Sequence, residues 1–382
     1  MDLEPKTEKR LRVLQLNKRY YPAIGGIEHI VQQIAEGLSK QTEMNVLVCS
    51  EDIHYKQETM NGVTIIRLPK LIQWGSLPIP IGLIYVLRKM CKELDIIQLH
   101  MPFPIGDIAC LLSGFQGKIV LWWHSDIVRQ KKLMYFYKPI MFRMLKRADA
   151  IIVATQGQIE HSAYLKQFKE KCVVIPFGVD KKIEEAADSY IETTKSIKNN
   201  SNRVRFLFVG RLVYYKGCDL LLHSFVSIKN AELVIVGTGK LEKKCKELVK
   251  ELGIEHKVTF QGAISEEQLY QEFVQCDVFV LPSVAKSEAF GLVQIEAMSF
   301  GKPIINTNLP SGVPYVSIHG ETGITIPPEN REELTKAMQW MVEHKEERLQ
   351  MGKKARERMK VEYRLETMLE RVWKVYTKLV EE

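Results

Sequence analysis

Short apolar runs separated by helical patterning recur along this chain, and no other feature limits its possible folds as strongly. In the first half the runs are Arg12–Leu16, Asn45–Cys49, Val63–Leu68, Ile96–His100, Ile119–Trp123, Ile151–Ala154 and Val173–Ile175. They lack polar alternation, which marks strands buried on both faces between helix layers, as in parallel sheets. Gly26–Ser39 has apolar positions at helical spacing and supplies a crossover. Residues 181–202 are rich in Lys, Glu, Thr and Asn and read as a surface connection. The alternation then restarts with Arg205–Val209, Leu233–Val236, Val258–Phe260, Val278–Leu281, Ile304–Ile305 and Ile324–Ile326, and ends in a helical tail of mixed charge, Glu332–Glu382. A chain of 382 residues has room for two such domains. The expected class is α/β: a Rossmann-like domain over residues 1–185, a linker over 186–202 and a second Rossmann-like domain over 203–362. Two doubly wound sheets imply a central cleft, because open parallel sheets hold ligands beyond the carboxyl ends of their strands. Fold alone names no reaction.

With 46% hydrophobic and 26% charged residues, the chain is neither disordered nor collagen-like. Its seven cysteines lie singly, without CxxC spacing, so they read as reduced core residues rather than a disulfide framework or a zinc cluster. The opening MDLEPKTEKR lacks the apolar stretch of a secretion signal, so a cytoplasmic location is expected. The apolar uncharged run Leu71–Leu87 contains Pro78 and Pro80 and falls short of the roughly 20 residues a spanning helix needs. Charge is uneven: residues 1–180 hold 24 Lys and Arg against 17 Asp and Glu, the remainder 30 against 29. The excess gathers in residues 127–147, where Arg129, Lys131, Lys132, Lys138, Arg143, Lys146 and Arg147 alternate with Tyr135, Phe136, Tyr137, Phe142 and other apolar residues. Such a mixture suits an anionic membrane surface. It equally suits a core-facing helix with a solvated basic face, and Pro139 is expected to split it into two short helices. No nucleic-acid-binding motif accompanies it, so a nucleic acid partner is not expected.

Four places could carry chemistry. After the first strand, Gly25-Gly26 precedes a helix; paired glycines allow close approach of backbone to a diphosphate, and they also make an ordinary turn. In the second half Gly210-Arg211 runs off a strand toward Lys216-Gly217. An arginine fork and a lysine five residues apart across a turn can converge on a diphosphate, or can be two solvated cations. Ser287-Glu288-Ala289-Phe290-Gly291-Leu292 follows a strand and leads into a helix bearing Glu296, leaving backbone N–H groups at the helix start. Glu288 and Glu296 are too far apart for one carboxylate dyad, so each is assigned its own hydroxyl partner. His124 ends a first-half strand in Trp122-Trp123-His124-Ser125-Asp126, placed to donate, orient or exchange a proton, or simply to fill the core.

Taken in order, Gly25-Gly26-Ile27-Glu28, His124-Ser125-Asp126, Gly210-Arg211 with Lys216-Gly217, Gly237-Thr238-Gly239, and Glu288 with Glu296 resemble glycosyltransferase family 4. These are retaining enzymes of GT-B architecture, and the resemblance covers nearly the whole chain. It implies that Arg211 and Lys216 bind the diphosphate of a nucleotide sugar and that Glu296 takes its ribose hydroxyls. Glu288 and the backbone near Phe290, Gly291 and Leu292 would contact the transferred sugar, with His124 nearby. Gly25, Gly26 and Gly237 would approach the donor, and Gly262, Ala263 and Ile264 would border the nucleobase. The helix over 363–382 would cross back onto the first domain.

Breaking an anomeric bond to diphosphate leaves negative charge that fixed cations stabilise. No Asp-x-Asp occurs, so neither a metal nor another cofactor is expected. The expected activity is hexose transfer, mannose favoured and hence GDP-mannose as donor. The acceptor would be a glycan or a lipid-linked glycan in surface polysaccharide synthesis, at the inner membrane face. A soluble small-acceptor transferase, a nucleotide-sugar epimerase and a non-catalytic sugar-binding protein are the alternatives.

Overall fold

The computed structural model describes residues 10–23, 25–51, 53–74, 77–126, 131–194 and 203–382, without the side chains of 73, 74, 77, 78, 131–133 and 191–194. Several expectations lie outside the described residues: the polar opening 1–9, Arg129, the side chains of Lys131 and Lys132, part of the apolar run at 75–76, and the linker beyond residue 194. Two compact units result. One comprises Met1–Ala154, Ser162–Ile175 and Met368–Glu382, the other Thr155–His161 and Pro176–Thr367.

The first unit contains, in chain order, β1 (Leu11–Leu16), α1 (Gly26–Leu38), β2 (Thr42–Cys49), β3 (Lys56–Met60), β4 (Val63–Leu68), β5 (Lys70–Trp74), β6 (Leu77–Pro80), α2 (Leu83–Met90), β7 (Ile96–Met101), α3 (Pro104–Ser113), β8 (Lys118–Trp123), α4 (Lys131–Arg147), β9 (Ala150–Val153) and β10 (Cys172–Val174). Every apolar run predicted for this half is a strand. The sheet order is β10-β9-β8-β7-β1-β2-β4-β3, parallel except for β3, and β5 pairs with β6 in a separate antiparallel hairpin. Val13, Leu14, Leu16, Ile97, Leu99, Val120, Leu121 and Trp122 are fully buried, as strands covered on both faces require. Chain order reverses between β1 and β7, which opens a crevice at their carboxyl ends.

The second unit continues with α5 (Gln156–His161), α6 (Lys181–Thr194), β11 (Val204–Val209), α7 (Cys218–Phe225), β12 (Ala231–Val236), α8 (Glu242–Glu251), β13 (Val258–Gly262), α9 (Glu266–Gln275), β14 (Val278–Leu281), α10 (Val293–Ser299), β15 (Ile304–Thr307), α11 (Val313–Val316), β16 (Gly323–Ile326), α12 (Arg331–Glu343), α13 (Lys345–Glu362) and α14 (Leu365–Glu381). From Met368 onward α14 belongs to the first unit. The sheet is wholly parallel in the order β13-β12-β11-β14-β15-β16. Phe206, Phe208, Val278, Val280, Ile305, Leu334 and Met338 fill its core. Its reversal lies between β11 and β14.

Two expectations are corrected. Pro139 sits inside one continuous helix, α4, rather than between two. An internal proline costs about 3 kcal/mol, but Met134, Tyr137, Met141, Met144 and Leu145 form a buried stripe on this helix. At about 1.5–3 kcal/mol for each large apolar side chain, that stripe outweighs the lost hydrogen bond. The same helix leaves Tyr135 and Phe136 79% and 73% exposed beside exposed Lys138, Arg143 and Lys146. One element therefore presents both the core-facing stripe and the basic aromatic face that the sequence left as alternatives.

The linker is the second. The division falls between Ile175 and Pro176 rather than within 186–202, and residues 181–194 are helix α6 of the second unit. α6 buries Ala187, and at its surface Glu184 meets Arg364 at 3.0 Å and Asp188 meets Lys360 at 3.2 Å and also Arg356.

Candidate functional site

In the second unit the loops leaving β11, β12 and β14 touch backbone to backbone. Gly217 has φ +69°, and a Cβ there would stand 2.1 Å from the carbonyl oxygen of Pro282. Gly237, at φ +121°, would bring a Cβ within 2.2 Å of the Gly210 carbonyl oxygen. Side chains at either place would force the strand ends apart. The contact delivers Lys216 to Glu288: Nζ lies 2.6 Å from Oε2, with the side chains 12% and 10% exposed. Ser283, fully buried just beyond β14, donates to the same oxygen at 3.3 Å. Arg211, on the same β11–α7 loop, is exposed and donates from Nη2 to the Tyr215 hydroxyl at 3.0 Å. The two expected clamp residues thus share a loop but hold different partners.

The 288–292 loop is anchored from beneath. The Phe290 ring is buried against Phe177, with centroids 5.0 Å apart, and against Tyr363. Gln294 donates to the Phe290 carbonyl at 2.9 Å and accepts from Asn306 at 2.8 Å. Gly291 and Leu292 lead into α10, and their carbonyls accept the N–H groups of Gln294, at 2.8 Å, and of Ile295, at 3.0 Å. Glu296 sits in its first turn. Burial pushes its carboxyl up to about 7; Lys216 opposes that shift, and Asp180 and Glu266 add to it. Gly262 ends β13 and accepts the Gly237 N–H at 2.7 Å, while Ala263 and Ile264 run to Ser265, which caps α9. Arg211, Lys216, Gly237, Gly262, Glu288, Gly291 and Glu296 therefore all stand at the carboxyl edge of one sheet, around its reversal.

In the first unit His124 follows β8 directly and its N–H donates to the Met101 carbonyl at 3.1 Å. Its Nε2 lies 3.0 Å from Nδ1 of buried His100. Burial lowers the basicity of both rings, to about 3 for His100. Asp126 accepts from the Trp123 indole at 3.1 Å and from Ser162 at 2.8 Å, so it ties the loop rather than facing a ligand. Gly25 caps α1 with extended backbone, and the Glu28 carboxylate folds over it; a Cβ at Gly25 would meet Oε2 at 2.2 Å. That space, expected to approach phosphate, is covered by a movable carboxylate. Nearby Lys18 is half-buried and its ammonium is weakened by burial, while Glu28 and Asp107 oppose the shift. Asp107 is fully buried at the start of α3, accepts from Tyr137, leaves Oδ1 without a partner, and is pushed up to about 8 by burial.

Sequence reasoning missed Ser283, Tyr215, His100 and Asp107. Ser283 lies two residues past a strand at the sheet reversal, so the strand-end rule alone could have found it. Asp107 carries no such mark, because its burial comes from α4 crossing α3.

Comparisons with known proteins give the family. The model described as Glycosyl transferases group 1 matches residues 190–358, and that described as Glycosyltransferase Family 4 matches residues 24–182. D-rhamnosyltransferase WbpZ of Pseudomonas aeruginosa is 32% identical over 354 residues, 91% of each chain. The chain belongs to glycosyltransferase family 4. A second relative in this family, O-antigen chain mannosyltransferase C of Escherichia coli, is 30% identical over 374 residues, 97% of this chain and 99% of that one. The solved structure of Anabaena HepE in complex with UDP superposes with a TM-score of 0.75 at 18% identity, covering 96% of this chain and 100% of that one. The fold is that of the GT-B glycosyltransferases, and the protein is a glycosyltransferase.

Proposed function

We propose that this family 4 enzyme transfers a hexose of the mannose type, with retention and without a metal, from a nucleotide-diphosphate sugar to a glycan or lipid-linked acceptor in surface polysaccharide synthesis. The buried Lys216–Glu288 pair at the β11/β14 reversal carries the reading. A lysine ammonium held in a poorly hydrated pocket interacts strongly with anions. When a diphosphate arrives, Lys216 is already oriented, and Arg211, exposed on a long side chain, can swing from Tyr215 to close a bidentate contact. Glu296 takes the ribose hydroxyls, Gly262 to Ile264 border the base, and Glu288 with the amides from Phe290 to Leu292 holds the hexose.

The anomeric C–O bond to phosphate breaks with its electron pair leaving on the diphosphate, where Lys216 and Arg211 stabilise the new charge. The acceptor oxygen bonds the same face of the anomeric carbon, and its proton passes to the departing phosphate oxygen. Fixed side-chain cations supply the charge stabilisation that a metal provides elsewhere, so a chelator should leave turnover unchanged. The relatives named for O-antigen mannosyl transfer and for rhamnosyl transfer support a sugar of the mannose series. Among the described residues no helix is long and apolar enough to cross a membrane. The exposed Tyr135 and Phe136 with Lys138, Arg143 and Lys146 support docking of α4 on an anionic membrane surface.

A panel of UDP- and GDP-sugars, read by release of the nucleoside diphosphate with and without lipid-linked acceptor, tests the assignment. Acceptor-dependent release from one donor supports it. Conversion of a nucleotide sugar to its epimer without acceptor, or binding without turnover, would replace it with an epimerase or a sugar-binding protein.

A further inference from the structure

Within the second unit the carboxylate of Glu288 is held by one of its two oxygens. Lys216 and Ser283 both address Oε2, at 2.6 Å and 3.3 Å. No donor reaches Oε1 among the described residues, so that oxygen is the one left for a ligand. The two donors differ in kind. Lys216 is a cation on a long stem, whereas the Ser283 hydroxyl is neutral and fully buried, and Oε2 is its single acceptor among the described residues.

Three ties set the segment around Ser283. Thr307, fully buried at the end of β15, donates its hydroxyl to the Ser283 carbonyl at 2.6 Å. The next amide, that of Val284, donates to the Tyr215 carbonyl at 2.9 Å, on the loop that carries Lys216. The Glu288 amide closes a turn on the Ala285 carbonyl at 3.0 Å. The hydroxyl therefore stands beside the carboxylate independently of where the Lys216 side chain points.

A diphosphate at Lys216 would alter this balance. Its charge draws the ammonium and repels the Glu288 carboxylate, in a poorly hydrated pocket where charges act strongly. The lysine's hold on Oε2 weakens as the repulsion on Glu288 appears. The serine bond is spared, because its donor carries no charge and its anchors lie in the backbone. We propose that Ser283 is a positioning residue for donor recognition: it retains Oε2 of Glu288 when Lys216 turns to the diphosphate, and so keeps Oε1 presented to the hydroxyls of the transferred sugar. This rests on the proposed contacts of Lys216 with the diphosphate and of Glu288 with the sugar. The role has a signature that a merely structural serine lacks. Loosening the segment would weaken nucleotide and sugar nucleotide alike, since it is tied to the Lys216 loop. Freeing Glu288 alone weakens the sugar's share and relieves the diphosphate of a neighbouring negative charge.

The test uses full-length protein, wild type, Ser283→Ala, Glu288→Ala and the double variant, titrated calorimetrically with GDP and GDP-mannose and with UDP and UDP-glucose, alongside turnover and melting temperature. Ser283→Ala is expected to lose about ten- to a hundredfold of its preference for sugar nucleotide over nucleoside diphosphate, the range for a hydrogen bond to a charged group. Turnover should fall alongside, while the bare nucleoside diphosphate binds no more weakly than to wild type. On the Glu288→Ala background the same serine change should alter the preference by less than about twofold, because the two residues act as one unit. Ser283→Cys fills the same space with a weaker donor; it should shift the preference in the same direction, and it replaces Ser283→Ala if that variant does not fold. An unchanged preference in a folded serine variant overturns the proposal. So does equal weakening of both ligands, or a loss of full size on the Glu288→Ala background. Wild-type preference in Glu288→Ala itself, or binding of neither ligand pair, would instead count against the proposed function, and the role of Ser283 would fall with it.

Discussion

Glu296 titrates near neutrality because its carboxylate is drawn out of water faster than Lys216 can compensate. On the proposed reading Glu296 accepts from the ribose hydroxyls, and its ionised form accepts more strongly than the neutral one. Affinity for a sugar nucleotide is therefore expected to rise by up to about tenfold per pH unit below pH 7 and to level off above it. A diester donor keeps its own phosphates ionised throughout, so calorimetric titration from pH 5.5 to 8.5 isolates the protein group, and Glu296→Gln should flatten the profile. Asp107 shows the same physics without a ligand. Its carboxyl is raised to about 8, so the folded protein holds a proton there that the unfolded chain releases near the ordinary aspartate value. Stability from this group is complete at low pH and is lost as pH rises from about 4 toward 8. Asp107→Asn removes this titration, so melting temperatures recorded across that window should fall more steeply in the wild type than in the variant, which keeps the slope that Glu296 contributes. Neither ionisation could be read from residue identity: both follow from what buries the group.

Among elements, the strand-end loops of the second unit depend on glycines more than on side-chain contacts. Gly217→Ala places a methyl group against the Pro282 carbonyl at a positive φ and is expected to destabilise the protein by about 1–3 kcal/mol. It should also displace Lys216 from Glu288, so turnover should fall at temperatures where the variant remains folded, a comparison that thermal melts and initial rates provide together. The strands feeding these loops were legible because β11, β12 and β14 are uninterrupted apolar runs. Other elements were hidden for different reasons. β3 (KQETM) is an exposed edge strand with no apolar period, and α6 hides its short buried face, Glu184 and Ala187, in a polar run. α4 reads as broken at Pro139 because local propensity says nothing of the buried Tyr137 and Met141 on its core side. At the site, spacing gathered Arg211, Lys216, Glu288 and Glu296 onto one sheet edge. It did not give the pairing of Lys216 with Glu288 or the carboxylate of Glu28 over Gly25, since each depends on a side-chain direction set by neighbouring loops.

For the whole molecule, the two parallel sheets followed from the doubled alternation and the return of α14 to the first unit from the family resemblance, whereas the division after Ile175 did not, because the polar run at 181–194 reads as a connection and folds as α6. Surface charge also acts at this scale. If α4 docks on anionic lipid, each exposed cation contributes about 1 kcal/mol near the surface. Replacing Lys138, Arg143 and Lys146 with glutamine should then weaken flotation with anionic vesicles by roughly a hundredfold, with activity on a soluble acceptor analogue retained. Equal flotation with neutral and anionic vesicles would assign α4 to the core alone. The central claim concerns the second unit: Lys216 and Arg211 grip the diphosphate of a sugar nucleotide at the β11/β14 reversal, with Glu296 on the ribose. The most direct measurement is a crystal structure with an unhydrolysed sugar nucleotide bound. The expected result places diphosphate oxygens within hydrogen-bonding distance of Lys216 Nζ and the Arg211 guanidinium. A nucleotide ordered elsewhere on the chain, with Lys216 still on Glu288, would contradict it.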